Sequence, residues 1–198
     1  MSAGWFIVHS LSLSLSLSLL PNSPGNNGGD GLVAARHLVH FGLNATVVYP
    51  KHSNKQHFIN LVKQCEDLKI PILDKVPLEL SDELRYDGIV DAIFGFSFSG
   101  SPPREPYATA ISSIIELQQR QKSIVISVDV PSGWDVNGGD DDSSADTTTN
   151  NQFLLQPDVL ISLTVPKLFA KKFCGRHFVG GRFLPPAMAK KYGIRVSV

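Results

Sequence analysis

Two acidic side chains, a pair of asparagines and a run of glycines carry the chemistry this sequence can offer. The run is Pro24-Gly25-Asn26-Asn27-Gly28-Gly29-Asp30-Gly31, with four glycines in eight residues. Glycine lets a backbone turn tightly and approach a ligand closely, where a side chain would block it. Leu32, Ala35 and Leu38 follow at helical spacing, so the turn feeds a helix over 32–38. Such a junction aims free N–H groups and the positive end of the helix dipole at an anion, typically a phosphate. The residues meet neither the Gly-x-Gly-x-x-Gly dinucleotide pattern nor the Lys-Ser/Thr of a P-loop. A bare Asn-Gly turn would need no such octamer.

The carboxylates are Asp91 and Asp129. Asp91 sits in the apolar stretch 86–95 and is followed by a Gly-rich loop. Asp129 ends the apolar run 123–129, just before Pro131-Ser132-Gly133. Either could simply bond the backbone of its own turn. Alternatively, Asp129 serves as a general acid or base tuned by partial burial. Asp91 could offer oxygen to a hard cation, helped by Asn27 and Ser132.

The elements that must position these groups alternate. Strands are expected over 45–49, 70–73, 86–95, 123–129 and 159–163, the last clear one. Helices are expected over 32–38, 58–65 and 107–120, with a helix-like segment at 166–170 and a glycine stop at Phe41-Gly42. Strands alternating with helices predict an α/β domain, a parallel sheet with helices on both faces. Asn26 to Asp30, Asp91 to Gly100 and Asp129 to Ser132 then lie at strand carboxyl ends or helix starts. Ligand crevices of open α/β sheets lie there, so one shared site is expected.

Length and charge narrow the class. The 198 residues suit one domain with a real core, and 18 basic against 18 acidic residues leave no field for nucleic acid. Cys65 and Cys174 fit no metal or redox spacing, which points to reduced thiols and an intracellular compartment, cytoplasmic or organellar (mitochondrion or plastid). No apolar run approaches the roughly 20 residues of a membrane helix. Residues 1–23 stand apart from a domain spanning 24–198, because Leu11 to Leu20 alternates Leu and Ser. That tract could be a half-buried strand or a weak signal-like segment. A segment standing in place of the domain's ordinary start is expected instead, since a central parallel strand should be apolar on both faces.

The Gly-rich octamer, Asp91-Ala92-Ile93-Phe94-Gly95-Phe96-Ser97-Phe98 and Val128-Asp129-Val130-Pro131-Ser132-Gly133-Trp134-Asp135 resemble signature blocks of the NAD(P)H-hydrate epimerase family, the YjeF N-terminal domain. Residues 157–167 and 180–186 match further blocks, so the likeness runs in order over roughly 24–192. The resemblance implies a Rossmann-like three-layer α/β/α sandwich with a mostly parallel central sheet. It implies an isomerase that interconverts the R and S epimers of NADHX and NADPHX, hydrated forms of NAD(P)H, for repair by an S-specific NAD(P)HX dehydratase. Carried over by position, Asn26, Asn27, Gly28, Gly29, Asp30, Gly95, Phe96, Ser97, Phe98, Ser99, Gly100, Ser101 and Asp129 would contact the substrate, with Asp129 catalytic. Asn27, Asp91 and Ser132 would hold a potassium ion. The family is homodimeric.

The chain departs from the family pattern in several places. Its first 23 residues replace helices that usually precede the Gly-rich turn, Ser99 replaces a basic residue, Val165 an alanine, and the 138–151 loop is long. A catalytically impaired nucleotide- or protein-binding relative on the same scaffold is therefore the alternative. A dehydrogenase is disfavoured because the dinucleotide fingerprint and an acidic ribose reader are missing. Lys167 is read as a solvated lysine at a helix start, with phosphate contact as its alternative. His37 and His40 are read as surface or packing residues, and Trp134 as packing under the Asp129 turn.

Overall fold

The computed structural model describes residues 14–19, 27–77, 86–96, 102–136, 153–180 and 184–193, without the side chains of 14–19 and Gln121. The strands are β1 (Ser14–Leu19), β2 (Asn44–Val48), β3 (Ile72–Leu73), β4 (Gly88–Ala92), β5 (Ile124–Val128), β6 (Val159–Leu163) and β7 (Arg176–Gly180). The helices are α1 (Asn27–His40), α2 (Gln56–Asp67), α3 (Tyr107–Gln121) and α4 (Pro186–Tyr192), with a 3-10 segment at Leu168–Lys172. The strands form one sheet in the order β3-β2-β1-β4-β5-β6-β7, and every pairing is parallel.

A period of two sorts the middle strands. Val90 and Ala92 of β4 pack with Leu32, Ala35, Val47 and Phe58 on the α1–α2 side. Ile89 and Ile93 face Ile111, Ile114, Leu117 and Val125 on the α3 side. All five β4 residues are buried, the pattern of a parallel strand covered on both faces. Asp91 shares the parity of Ile89 and pairs in register with Ser127 of β5. A polar pair is thereby placed inside an apolar layer.

Several elements differ from expectation. The Leu–Ser tract contributes β1, and β1 occupies the middle of the sheet between β2 and β4. The both-faces-apolar rule lost here because alternation is itself a strand period, and two flanking strands complete the backbone pairing. β6 is not the last strand: β7 adds to the edge, and Arg176 to Val179 stay exposed along it, so it lacked the apolar signal of a buried strand. Helix α4 has no buried residue and was equally silent. Helix α1 starts at Asn27, five residues before its apolar spacing begins. Its expected stop holds: Gly42 has φ +84°, and the N–H groups of Gly42 and Leu43 bond the carbonyls of Val39 and Leu38.

The order reverses between β1 and β4, so α1 leaves β1 on one side of the switch while β4 and β5 end on the other. That is where an open α/β sheet forms its crevice.

Replacing Leu117, 1% exposed, by alanine is expected to cost about 2–5 kcal/mol in urea unfolding. Cys65 is fully buried and burial pushes its thiol up to about 11, while Cys174 is exposed. Iodoacetamide on the native protein at neutral pH should label Cys174 and spare Cys65.

Candidate functional site

The first turn of α1 provides one wall. Asn27, Gly28 and Gly29 are buried there and Asp30 is exposed. Gly29 packs closely, since a Cβ would sit 3.3 Å from Cε1 of Phe58 on α2. Asn27 does not cap its own helix. Its Nδ2 donates to the carbonyls of Phe94 (2.8 Å) and Val128 (3.3 Å), bridging the ends of β4 and β5. Its Oδ1 is buried with no hydrogen-bond partner among the described residues.

Asp91 is wholly buried. Its Oδ2 accepts from Ser127 Oγ (2.8 Å) and Ser132 N (2.9 Å), and its Oδ1 from Ser132 Oγ (2.6 Å) and Ile93 N (3.2 Å). Burial pushes its carboxyl above the ordinary range, and these bonds, those of Ser132 foremost, pull the other way. Ser132 Oγ also accepts the Phe94 N–H at 3.3 Å. One carboxylate therefore ties β4, β5 and the 129–133 turn into a single unit.

Asp129 follows β5 with φ +67°. That left-handed conformation costs a non-glycine residue of order 1–3 kcal/mol and persists only where the surroundings enforce it. The Asp129 N–H bonds the Ile161 carbonyl at 2.8 Å, and Asp129 Oδ2 accepts the Phe96 N–H at 2.9 Å. Oδ1 accepts from Lys167 Nζ, which also donates to the Leu163 carbonyl at 2.9 Å. Both side chains of this ion pair are about nine-tenths buried. Burial first and the negative charge of Asp129 second push the Asp30 carboxyl above its usual range, although Asp30 keeps contact with solvent. Gly95 separates the two clusters: a Cβ there would lie 3.0 Å from Asn27 Cβ and 3.3 Å from Asp129 Oδ2.

The structure thus brings Asn27, Asp91, Gly95, Phe96, Asp129 and Ser132 together, with Gly28, Gly29 and Asp30 beside them on α1. Phe96 takes part through its backbone, the residue being 64% exposed. Asn26, Ser97, Phe98, Ser99, Gly100 and Ser101 lie outside the described residues, as does the long 138–151 loop. Lys167 overturns its expectation, since it is a paired, largely buried cation rather than a solvated one. A signal existed in its place: it falls four residues past β6, the strand beside the one that delivers Asp129. His37 and His40 are exposed, as expected. Trp134 packs edge-on against Phe169 and Phe173, and its Nε1 donates to the Leu155 carbonyl. A cavity of about 610 Å³ is lined by other residues, among them Pro50, Lys75, Glu105 and Thr109.

Among the described residues no three His, Cys, Asp or Glu side chains converge. The polar atoms around Asn27 and Ser132 are instead mostly oxygen: the unpartnered Asn27 Oδ1, the Phe94 and Val128 carbonyls that accept from Asn27 Nδ2, and the Ser132 hydroxyl that donates to the Asp91 carboxylate. Such a set fits a hard cation of low charge. The α1 N-terminus beside it suits an anion.

Two substitutions probe this arrangement. Gly95→Ala is expected to lower stability by about 1–3 kcal/mol, because its methyl would press on Asn27 and Asp129. Ser132→Ala removes one hydroxyl donor from Asp91 and should cost about 1–3 kcal/mol in the same thermal or urea unfolding.

The comparisons with known proteins agree with this architecture. Residues 9–169 match the model of the YjeF-related protein N-terminus. The chain is 49% identical over 178 residues to an NAD(P)H-hydrate epimerase of Neurospora crassa, covering 90% of this chain and 70% of that one. It is 47% identical over 173 residues to an NAD(P)H-hydrate epimerase of Puccinia graminis, covering 87% of this chain and 65% of that one. It is also 45% identical to the chloroplastic pyridoxine/pyridoxamine 5'-phosphate oxidase 1 of Arabidopsis thaliana, of which it covers 32%. The crystal structure of yeast ynu0, YNL200c, superposes with a TM-score of 0.69 at 38% identity, over 92% of this chain and 72% of that one. Two signature loops that converge on one switch point, and a match over most of the sequence, place the chain in the YjeF-related N-terminal family, that of the NAD(P)H-hydrate epimerases.

Proposed function

We propose that this chain epimerises the R and S forms of NADHX and NADPHX, so that an S-specific NAD(P)HX dehydratase can consume both. The observation that carries the reading is Asp129, a strained acidic residue held at a strand end, facing the amide-rich first turn of α1 across Gly95. One end of the site suits a pyrophosphate and the other a polar reacting centre. Asn26, Asn27, Gly28, Gly29 and Asp30, with the loop from Gly95 to Ser101 and with Asp129, form the proposed substrate contacts.

The centre to be inverted is a carbon carrying a hydroxyl next to the ring nitrogen. Protonation of that hydroxyl lets it leave as water and puts an iminium in the ring. Water then adds to the opposite face and returns a proton, so nothing is gained or lost and no electrons are exchanged. Ring opening reaches the same end by the opposite first transfer: the hydroxyl gives up its proton as the carbon–nitrogen bond breaks to an aldehyde, the ring nitrogen takes a proton, and reclosure on the other face reverses both transfers. Asp129, ion-paired with Lys167, is the proposed acid/base and suits the ring-opening route, where its carboxylate accepts the hydroxyl proton and passes it to the ring nitrogen. In the dehydration route it favours the passing positive charge on the ring. The nicotinamide compound is substrate, not cofactor.

Potassium, through Asn27, Asp91 and Ser132, is the proposed cation. It would offer Asn27 Oδ1 the partner it lacks and set a positive charge near the buried Asp91. No helix among the described residues is long and apolar enough to cross a membrane. The name of the chloroplastic relative favours a plastid over the cytoplasm or mitochondrion.

The test follows purified R-NADHX, with dehydratase removing the S form as it appears. Wild-type conversion should exceed the spontaneous rate, and Asp129→Asn should lower kcat by roughly 10²–10⁴-fold, the usual span of a proton-transfer group. Conversion at the spontaneous rate would instead favour a binding protein. In a parallel thermal melt, potassium should raise Tm above the value in equal sodium, and Asn27→Ala should abolish that difference.

A further inference from the structure

Lys167 belongs to the cluster, and neither the loops' glycines nor the oxygen set explains it. Its ammonium reaches two adjacent strand ends at once, the Leu163 carbonyl that closes β6 and Asp129 Oδ1 beyond β5. Each of those strands passes directly into a non-glycine residue in the left-handed region, Asp129 and Thr164, both with φ +67°. Thr164 is β-branched, so its conformation is a true outlier. Two such strained turns side by side, joined by one largely buried cation, are a positioning device rather than incidental surface charge. Val165 N–H to Leu163 O (2.8 Å) and Thr164 N–H to Gly180 O (2.7 Å) hold the second turn from which Lys167 projects.

The division of Asp129's oxygens gives the device its purpose. Lys167 engages Oδ1 while the Phe96 N–H engages Oδ2. An ionised carboxylate offers about four lone-pair directions, so two bonds fix its plane and leave acceptor capacity in a set direction. We propose that Lys167 is a positioning residue for the epimerase reaction, its ammonium orienting the Asp129 carboxylate toward the reacting hydroxyl. This inference rests on the epimerase reading and deepens it. Lys167 is assigned no contact with the substrate and moves no proton of its own.

The experiment is a double-mutant cycle on the R-NADHX conversion assay, using Lys167→Met, Lys167→Arg, Asp129→Asn and the Lys167→Met/Asp129→Asn pair. Lys167→Met should lower kcat about 10–100-fold with KM changed by less than about threefold, the signature of an interaction used after binding. Lys167→Arg, which keeps a donor to both acceptors, should recover at least half of that loss on a logarithmic scale. The pair should be no slower than Asp129→Asn alone, because residues that act as a unit are non-additive. A Lys167→Met kcat within twofold of wild type overturns the proposal. So does a pair whose loss equals the product of the single losses. Should Lys167→Met fail to fold for want of a partner to the buried carboxylate, the pair carries neither charge and is compared with Asp129→Asn alone, where a further loss overturns the proposal and equality supports it. A wild-type chain no faster than buffer fails the epimerase reading and this inference together, whereas an active wild type with an unaltered Lys167→Met fails this inference only.

Discussion

Asp91 has no access to water, and the site is arranged around that constraint. Taking a carboxylate out of water costs several kcal/mol unless its lone pairs are met. Here two hydroxyls and two backbone N–H groups meet them, from Ser127, Ser132 and Ile93. Each of those donors belongs to a segment that must stay in place for the bond to exist. The end of β4, the face of β5 and the 129–133 turn are therefore held mutually by one carboxyl group, in addition to the apolar packing of their neighbours.

With that anchor set, the turn beyond it can sustain strain. Gly133 has φ +93° and lies so close to the chain at Phe153 that a Cβ would sit 2.2 Å from its carbonyl oxygen. Asp129, three residues before Ser132, carries its left-handed backbone inside the same turn. Strain of this kind is retained only where neighbouring bonds outweigh relaxation, and at reactive sites it aims a side chain in a direction that regular strand geometry would not give. The Lys167 pair completes the brace from β6.

The sheet order explains why these turns meet α1 at all. Connections run one way from β1 through β2 to β3 and the other way from β4 onward, so the helix after β1 starts beside the loops after β4 and β5. Asn27 exploits this adjacency by donating to carbonyls 67 and 101 residues distant. The buried orphan Oδ1 is the counterpart of that choice: an amide turned to bridge two strand ends presents its acceptor to the interior.

Much of this was legible in the residues alone. The alternation of strands and helices, the glycine stop after α1, the buried stretches of β4 and β5 and the clustering of three polar segments at one edge all follow from local period and turn chemistry, which neighbouring residues carry. Membership of the family was legible for the same reason, since its blocks are short and contiguous. Tertiary structure decided what depends on distant partners. Ser14–Leu19 is central because β2 and β4 flank it, a fact its own alternation does not contain. β7 lies at an exposed edge and α4 buries no residue, so composition leaves little trace of either. Lys167 looks like any lysine after a proline until β6 is laid beside β5; only then does its ammonium find Asp129, because an ion pair across 38 residues is a property of the sheet order and not of the stretch that bears the charge.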